Sequence, residues 1–507
     1  MRLGIDFGTT RTVVAAAADG RYPVASFDHP DSFRTWLPTM AAWNGGRWCY
    51  AEEAEPLVRS GRVRGIRSIK RMLGMLGLDD VVPELDGPPV TARELVAGYL
   101  GALKERLRHH ANLGLRADEP LEAMVAVPAN ASSRQRFLTL EAFRDAGFDV
   151  LGMVNEPSAA AIEYAHRNAR AISPRSPKRY VVVYDLGGGT FDTAAVSLQH
   201  QTFELLASEG IQRLGGDDFD EAILALWRDA VGHGPLPPET RTACLEVCRS
   251  AKEALSPQSR RLFLDAGPDL PLAPVTLDLV AVHGRCAPLI DRTLDRLEDV
   301  FRALPPDLDR DDPRQLGGVY LVGGAAAFPP VLRALRARHR RKVLLAPEPH
   351  AATAIGLAVA ADPTASVKVR EATTRYFGVW REAQDGHDSV FDPILRKDRA
   401  PAGSAPVVVE RGYRPIHTVG HLRFIECTRL DAQGQPAGDV SPFGELYFPY
   451  DPSLATRSDL AGLQVERRPE LGGQEIVERY VYAKDGTIAV HIANRTGGYA
   501  RELVFAT

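Results

Sequence analysis

The stretch "IDFGTTRT" occupies Ile5–Thr12 and "YDLGGGTFDT" occupies Tyr184–Thr193, so nearly one phrase is written twice, its aspartates 179 residues apart (185 minus 6). Each copy is an apolar run favouring extended backbone, then Asp, then a small-residue turn, then further apolar alternation. That pattern predicts strand, tight loop, strand. Glycine lets backbone N–H groups approach an oxyanion closely, so Gly8-Thr9-Thr10 and Gly187-Gly188-Gly189-Thr190 are suited to phosphate. One copy alone reads equally as a β-hairpin with a glycine turn. Two copies point to related lobes facing one another across a polyphosphate. Asp6 and Asp185, just ahead of the loops, would then organise a divalent cation through water, since magnesium keeps much of its hydration shell beside phosphates.

Composition bounds the rest. The 507 residues suffice for several domains; 45% hydrophobic and 25% charged residues match an ordinary globular protein. A formal net charge of -4 argues against nucleic acid or anionic membrane as a general partner. No run is long and apolar enough for a membrane span, and the chain enters an apparent strand from Met1 without an export signal. The five scattered cysteines fit reduced thiols, so the expected location is cytoplasmic. Cys244 and Cys248 share a helical face, yet no second ligand pair completes a zinc site, and burial is the expectation. The chain carries neither a P-loop nor the protein-kinase signatures. Only eight of its 61 basic residues are lysines, so a lysine inside a motif is informative.

"GIDFGTT", "SIKRMLG", "VNEPSAAAIEYA", "YDLGGGTFDT", "LGGDDFD" and "VYLVGG" occur in the order seen in the seventy-kilodalton heat-shock (DnaK-type) chaperones, which this chain resembles over about residues 1 to 361. The resemblance implies an α/β, actin-like ATPase domain of two lobes, with magnesium and ATP or ADP in the cleft, followed by an all-β sandwich that binds polypeptide. Carried onto this sequence, Asp6 and Asp185 match the magnesium-organising aspartates. Gly8, Thr9, Thr10, Gly187, Gly188 and Gly189 match the phosphate loops, and Gly215, Gly216, Gly323 and Gly324 fall in further nucleotide-contacting motifs. Lys70 matches a lysine that orients water and stabilises charge on the transferring phosphoryl group, while Glu156, Asp185, Thr190 and Asp192 surround the γ-phosphate. Pro128 and Arg136 match residues that relay nucleotide state. Read alone, Pro128 ends a strand, Arg136 lies on a helix surface and Glu156-Pro157 opens a helix.

The adenosine side departs from the family pattern. Lys252 and Ser256 match base and ribose contacts, but Arg249 stands where an acid is usual, Ala327 where an arginine is usual and His350 where an aspartate is usual. Phe328, ahead of two prolines, reads as core.

Beyond Ala361 the chain changes character. Residues 362–373 read as a linker in which Val367 and Val369 suit a short strand, and 374–507 carry short alternating apolar runs between Gly, Pro and Asp turns, the pattern of a β-sandwich. "FDPILRKDRAPAGS" and "KDGTIAVHIANRTGG" resemble parts of the family's peptide-binding domain, here without its helical lid. The expected function is an ATP-driven chaperone acting on unfolded or extended polypeptide, with a J-domain co-chaperone and a nucleotide exchange factor as partners. The alternative is an ATP-binding interaction or regulatory protein with a repurposed sandwich.

Overall fold

A computed structural model describes the chain apart from residues 30–31, 61–62, 64, 71–79, 84, 117, 130, 132, 170–171, 173–175, 199–201, 309–311, 313, 366–367, 371–374, 384–387, 397–405, 483–487 and 505–507. The chain forms two compact units: Met1–Ala129 with Thr139–Arg370, and Asn130–Leu138 with Glu371–Thr507.

The first unit carries the duplication into three dimensions. Its first sheet orders the strands Leu37–Pro38, Arg11–Ala16, Arg2–Phe7, Glu122–Val127 and Asp149–Asn155. Its second orders Lys368–Arg370, Thr202–Ile211, Phe191–Ser197, Tyr180–Leu186, Leu316–Val322 and Val343–Leu345. In both, the opening hairpin is antiparallel and the first strand pairs on its other side in parallel with a much later one. Counted in chain order, five strands of each sheet lie as 3-2-1-4-5. Tyr180–Tyr184 is buried on both faces, as expected of strands covered by helices on both sides.

Helix Ala352–Ala361 joins the halves. It follows strand Val343–Leu345 of the second sheet yet packs on strand Arg2–Phe7 of the first and on helix Glu156–Arg167. The approach is possible because the contact is made of very small residues. A Cβ added at Gly4 would stand 2.2 Å from Ala358 N, and one at Gly356 only 1.8 Å from Ala159 O. Backbone therefore meets backbone, which fixes strand Arg2–Phe7, and with it the start of the first glycine loop, against this helix.

The expected linker strand, Val367 to Val369, is described only in part. Val367 lies outside the described residues, whereas Lys368–Arg370 forms an edge strand parallel to Thr202–Glu204 and so belongs to the first unit. The parts of "SIKRMLG", "FDPILRKDRAPAGS" and "KDGTIAVHIANRTGG" at 71–74, 397–404 and 483–487 also lie outside the described residues.

The second unit contains the expected sandwich. One antiparallel sheet orders Asp388–Leu395, Tyr376–Ala383, Val419–Leu430 and Pro436–Pro449; the other orders Val407–Tyr413, Ile476–Tyr482, Ile488–Asn494 and Tyr499–Val504. Phe377, Val379, Leu422, Phe424, Phe448, Tyr480 and Val490 form its core. Buried Glu478 interrupts this apolar layer. It accepts from Arg381 Nη2 of the opposite sheet at 2.7 Å and from the hydroxyls of Tyr413 and Tyr480 at 2.7 and 2.6 Å.

Gly356→Ala is expected to lower the stability of the first unit by about 1–3 kcal/mol or more, because backbone on both sides leaves the new methyl nowhere to go. Thermal unfolding of the full chain checks this; an unchanged transition would mean that the helix shifts freely.

Candidate functional site

The two hairpins close alike. Gly8 N–H donates to Arg11 O at 3.0 Å and Gly187 N–H to Thr190 O at 3.1 Å, while the registers set Asp6 opposite Val13 and Asp185 opposite Asp192. The loops also face each other. A Cβ at Gly188 would lie 2.3 Å from Thr10 Oγ1, so this approach requires glycine.

Two further glycine pairs complete the cradle. Gly216 N–H donates to Gly187 O at 2.9 Å and Asp217 N–H to Gly188 O at 2.7 Å, which seats the start of helix Gly216–Val231 on the second loop. A Cβ at Gly215 would stand 2.6 Å from the Gly188 carbonyl, and one at Gly323 would stand 2.5 Å from Asp185 Oδ1. All four expected glycine-containing segments thus converge, and a helix N-terminus adds its positive dipole end.

Lys70 and Glu156 meet beside them. Lys70 Nζ donates to Glu156 Oε1 at 2.6 Å, and both side chains are buried. Glu156 opens helix Glu156–Arg167, with Pro157 in its first turn. Asp192 is buried, while Asp6 and Asp185 are part-exposed at their strand ends. Burial, reinforced by Glu156 and opposed by Lys70, pushes Asp6 up to about 7 and Asp192 to about 8. Asp185 is raised by burial and by Glu156, Asp6 and Asp192. Burial alone would lower Lys70, but Glu156, Asp6 and Asp192 outweigh it and hold the ammonium above its ordinary value.

Among the described residues no group of three or more His, Cys, Asp and Glu side chains is arranged to hold a metal directly. The fit to a divalent cation rests on charge: four carboxylates crowd around Lys70, and a hydrated cation beside Asp6 and Asp185 would relieve that repulsion.

The adenosine-side residues are disposed differently. Lys252 is buried, donating to Gly216 O at 2.6 Å and pairing with Asp220 at 2.7 Å. Ser256 is exposed, its hydroxyl 3.2 Å from that of Ser259. Arg249 is compensated by Asp217 at 2.9 Å and Glu246 at 3.2 Å; Glu246 also accepts from Arg67 at 2.5 Å. These acidic partners went unnoticed in the sequence, although the "DD" of "LGGDDFD" was the available signal. Ala327 lies in a short 3-10 turn over Gly324–Ala327. Phe328 is core, 5.3 Å from the Phe219 ring, and His350 Nε2 lies 2.9 Å from Thr35 Oγ1. Pro128 follows strand Glu122–Val127 and Arg136 lies on helix Ser133–Asp145. Cys244 and Cys248 are buried.

Comparison with known proteins agrees with this geometry. The family profile described as "Hsp70 protein" matches residues 2–373. The chain is 32% identical over 377 residues to a Bordetella petrii protein named "Chaperone protein HscA homolog", covering 71% of this chain and 58% of the relative. It is 33% identical over 396 residues to the protein of that name from Pseudomonas putida, covering 72% and 58%. The chain thus spans well under two thirds of these relatives' length. Among the described residues no helix is long and apolar enough to cross a membrane.

The raised carboxylates make stability pH-dependent. Their folded values lie above the ordinary 3.8, so the folded protein holds more protons across the interval; their contribution is complete below about pH 4 and is lost as pH rises through about 7 and 8. Melting temperature in EDTA, without nucleotide, should fall across that window, and Asp192→Asn should flatten the fall. An unchanged profile in the variant would remove Asp192 from the titrating group.

Proposed function

The chain belongs to the Hsp70 family, and from that premise we propose that it is an ATP-dependent molecular chaperone that hydrolyses Mg-ATP to control binding of unfolded or extended polypeptide. The observation that carries this reading is the buried Lys70–Glu156 pair set among Asp6, Asp185 and Asp192 beside two facing glycine hairpins.

In this reading residues 1–361 are the ATPase domain, 362–373 the linker and 374–507 the polypeptide-binding sandwich. Backbone N–H groups of Gly8–Thr10 and Gly187–Gly189 hold the phosphates. A magnesium ion would supply charge neutralisation and orient oxygens, with Asp6 and Asp185 holding its water shell. Glu156, Thr190 and Asp192 position the attacking water and a carboxylate receives its proton, with the raised Asp192 suited to exchange one near neutral pH. Lys70 stabilises charge on the phosphoryl oxygens; its bond to Glu156 sets where the ammonium stands. Lys252, Ser256, Gly215, Gly216, Gly323 and Gly324 border the adenosine side. The open edges of the sandwich sheets offer backbone pairing to an extended segment. A J-domain co-chaperone and an exchange factor are the proposed partners, and the cytoplasm the proposed location.

Lys70→Ala is expected to bind Mg-ATP but to hydrolyse it about 10²–10³-fold more slowly in single turnover, because loop contacts survive while transition-state charge loses its cation. Unchanged hydrolysis would remove Lys70 from the mechanism.

Unfolded polypeptide is expected to accelerate single-turnover hydrolysis in the full chain. No response, together with tight ATP binding, would favour an ATP-holding interaction or regulatory protein.

A further inference from the structure

Arg11 follows the first glycine loop directly, opening strand Arg11–Ala16, and its side chain crosses the cleft. Its guanidinium pairs with Glu253 of the other lobe, the final residue of helix Pro238–Glu253. It also lies 4.1 Å from the centre of the Trp36 ring, whose neighbour Arg34 stands 5.0 Å from the same ring and is held by Glu55 at 2.6 Å. A Cβ added at Gly324 would be 3.7 Å from Arg11 Nη1, so the guanidinium sits beside a nucleotide-side glycine of the second lobe. Nearby, Thr35 and His350 make a second polar contact, where burial and Arg11 keep the imidazole below its usual value.

Each partner has a reason to hold. Glu253 stands at the negative end of its helix, where an acid is disfavoured unless a cation answers it. Arg11 is planar and lies on an indole, which restricts it before the ion pair forms. Its backbone is tied to the loop by the bond from Gly8 N–H, so a pull on the side chain is a pull on the phosphate loop.

We propose that Arg11 and Glu253, braced by Trp36, form a latch across the nucleotide cleft that holds the first phosphate loop against the second lobe and slows nucleotide release. The proposal rests on the reading of the cleft as a Mg-ATP site. Arg11 and Glu253 act as positioning residues and touch no reacting atom. Glu253 is 44% exposed, so the pair belongs in the modest range of surface ion pairs.

The test is a double-mutant cycle on release of fluorescently labelled ADP from the full chain. Arg11→Gln and Glu253→Gln should each accelerate release roughly two- to fivefold, the double variant no further than the faster single one, and Arg11→Lys should fall between. Additive effects, or unchanged release in both single variants, would overturn the latch. Hydrogen exchange without nucleotide supplies an arm independent of the ATP reading. Glu253→Gln should raise exchange of the Gly8–Arg11 amides, and equal exchange overturns the latch. A protein that binds no labelled nucleotide yet shows the exchange difference retires the ATP reading and keeps the latch.

Discussion

The buried ion pair between Lys70 and Glu156 is the interaction on which the rest of the site depends. Four carboxylates around one lysine repel one another, and burial makes their charged forms costly. Lys70 offsets part of that cost and is itself kept charged by Glu156, Asp6 and Asp192. What remains is a deficit of positive charge beside loops rich in backbone donors. That imbalance is what the proposed Mg-ATP reading would use.

Close backbone approach is what allows that pocket to exist. At Gly188 the second loop meets the Thr10 side chain, at Gly215 it meets the start of a helix, and at Gly323 a third segment reaches Asp185. Away from the cleft, Gly4 and Gly356 let helix Ala352–Ala361 lie directly on the first sheet and on the helix that Glu156 opens. The two sets are mechanically continuous. Strand Arg2–Phe7 touches this helix through Gly4 and ends at the phosphate loop, and the same helix leads towards edge strand Lys368–Arg370 on the other sheet.

Charge is handled by similar reciprocity elsewhere. Arg249, atypical for its position, sits in a cluster with Arg67, Lys252, Asp217, Asp220 and Glu246, so the cost of burying it is shared among paired groups. In the sandwich, Glu478 is buried with Arg381 and two tyrosine hydroxyls as donors. In both, opposite charges are paired, so deleting one member would strand a buried charge.

Local chemistry carried much of this protein in readable form. The Asp-loop-glycine phrase written twice announced two hairpins and a duplicated fold, because tight turns and alternating apolar runs are encoded over a few residues. The sandwich was legible for the same reason. Pairings between residues far apart in the chain were not. The "DD" of "LGGDDFD" does not say that Asp217 would meet Arg249, 32 residues later, nothing around Glu478 predicts Arg381 from the opposite sheet, and nothing local to Arg11 points to Glu253 or Trp36. Lys70 likewise is buried against Glu156, 86 residues later, a pairing that no local pattern around "SIKRMLG" announces. Short-range sequence sets backbone conformation, while the partner of a charge is chosen by which strands and helices the fold makes neighbours, and that choice belongs to the tertiary structure.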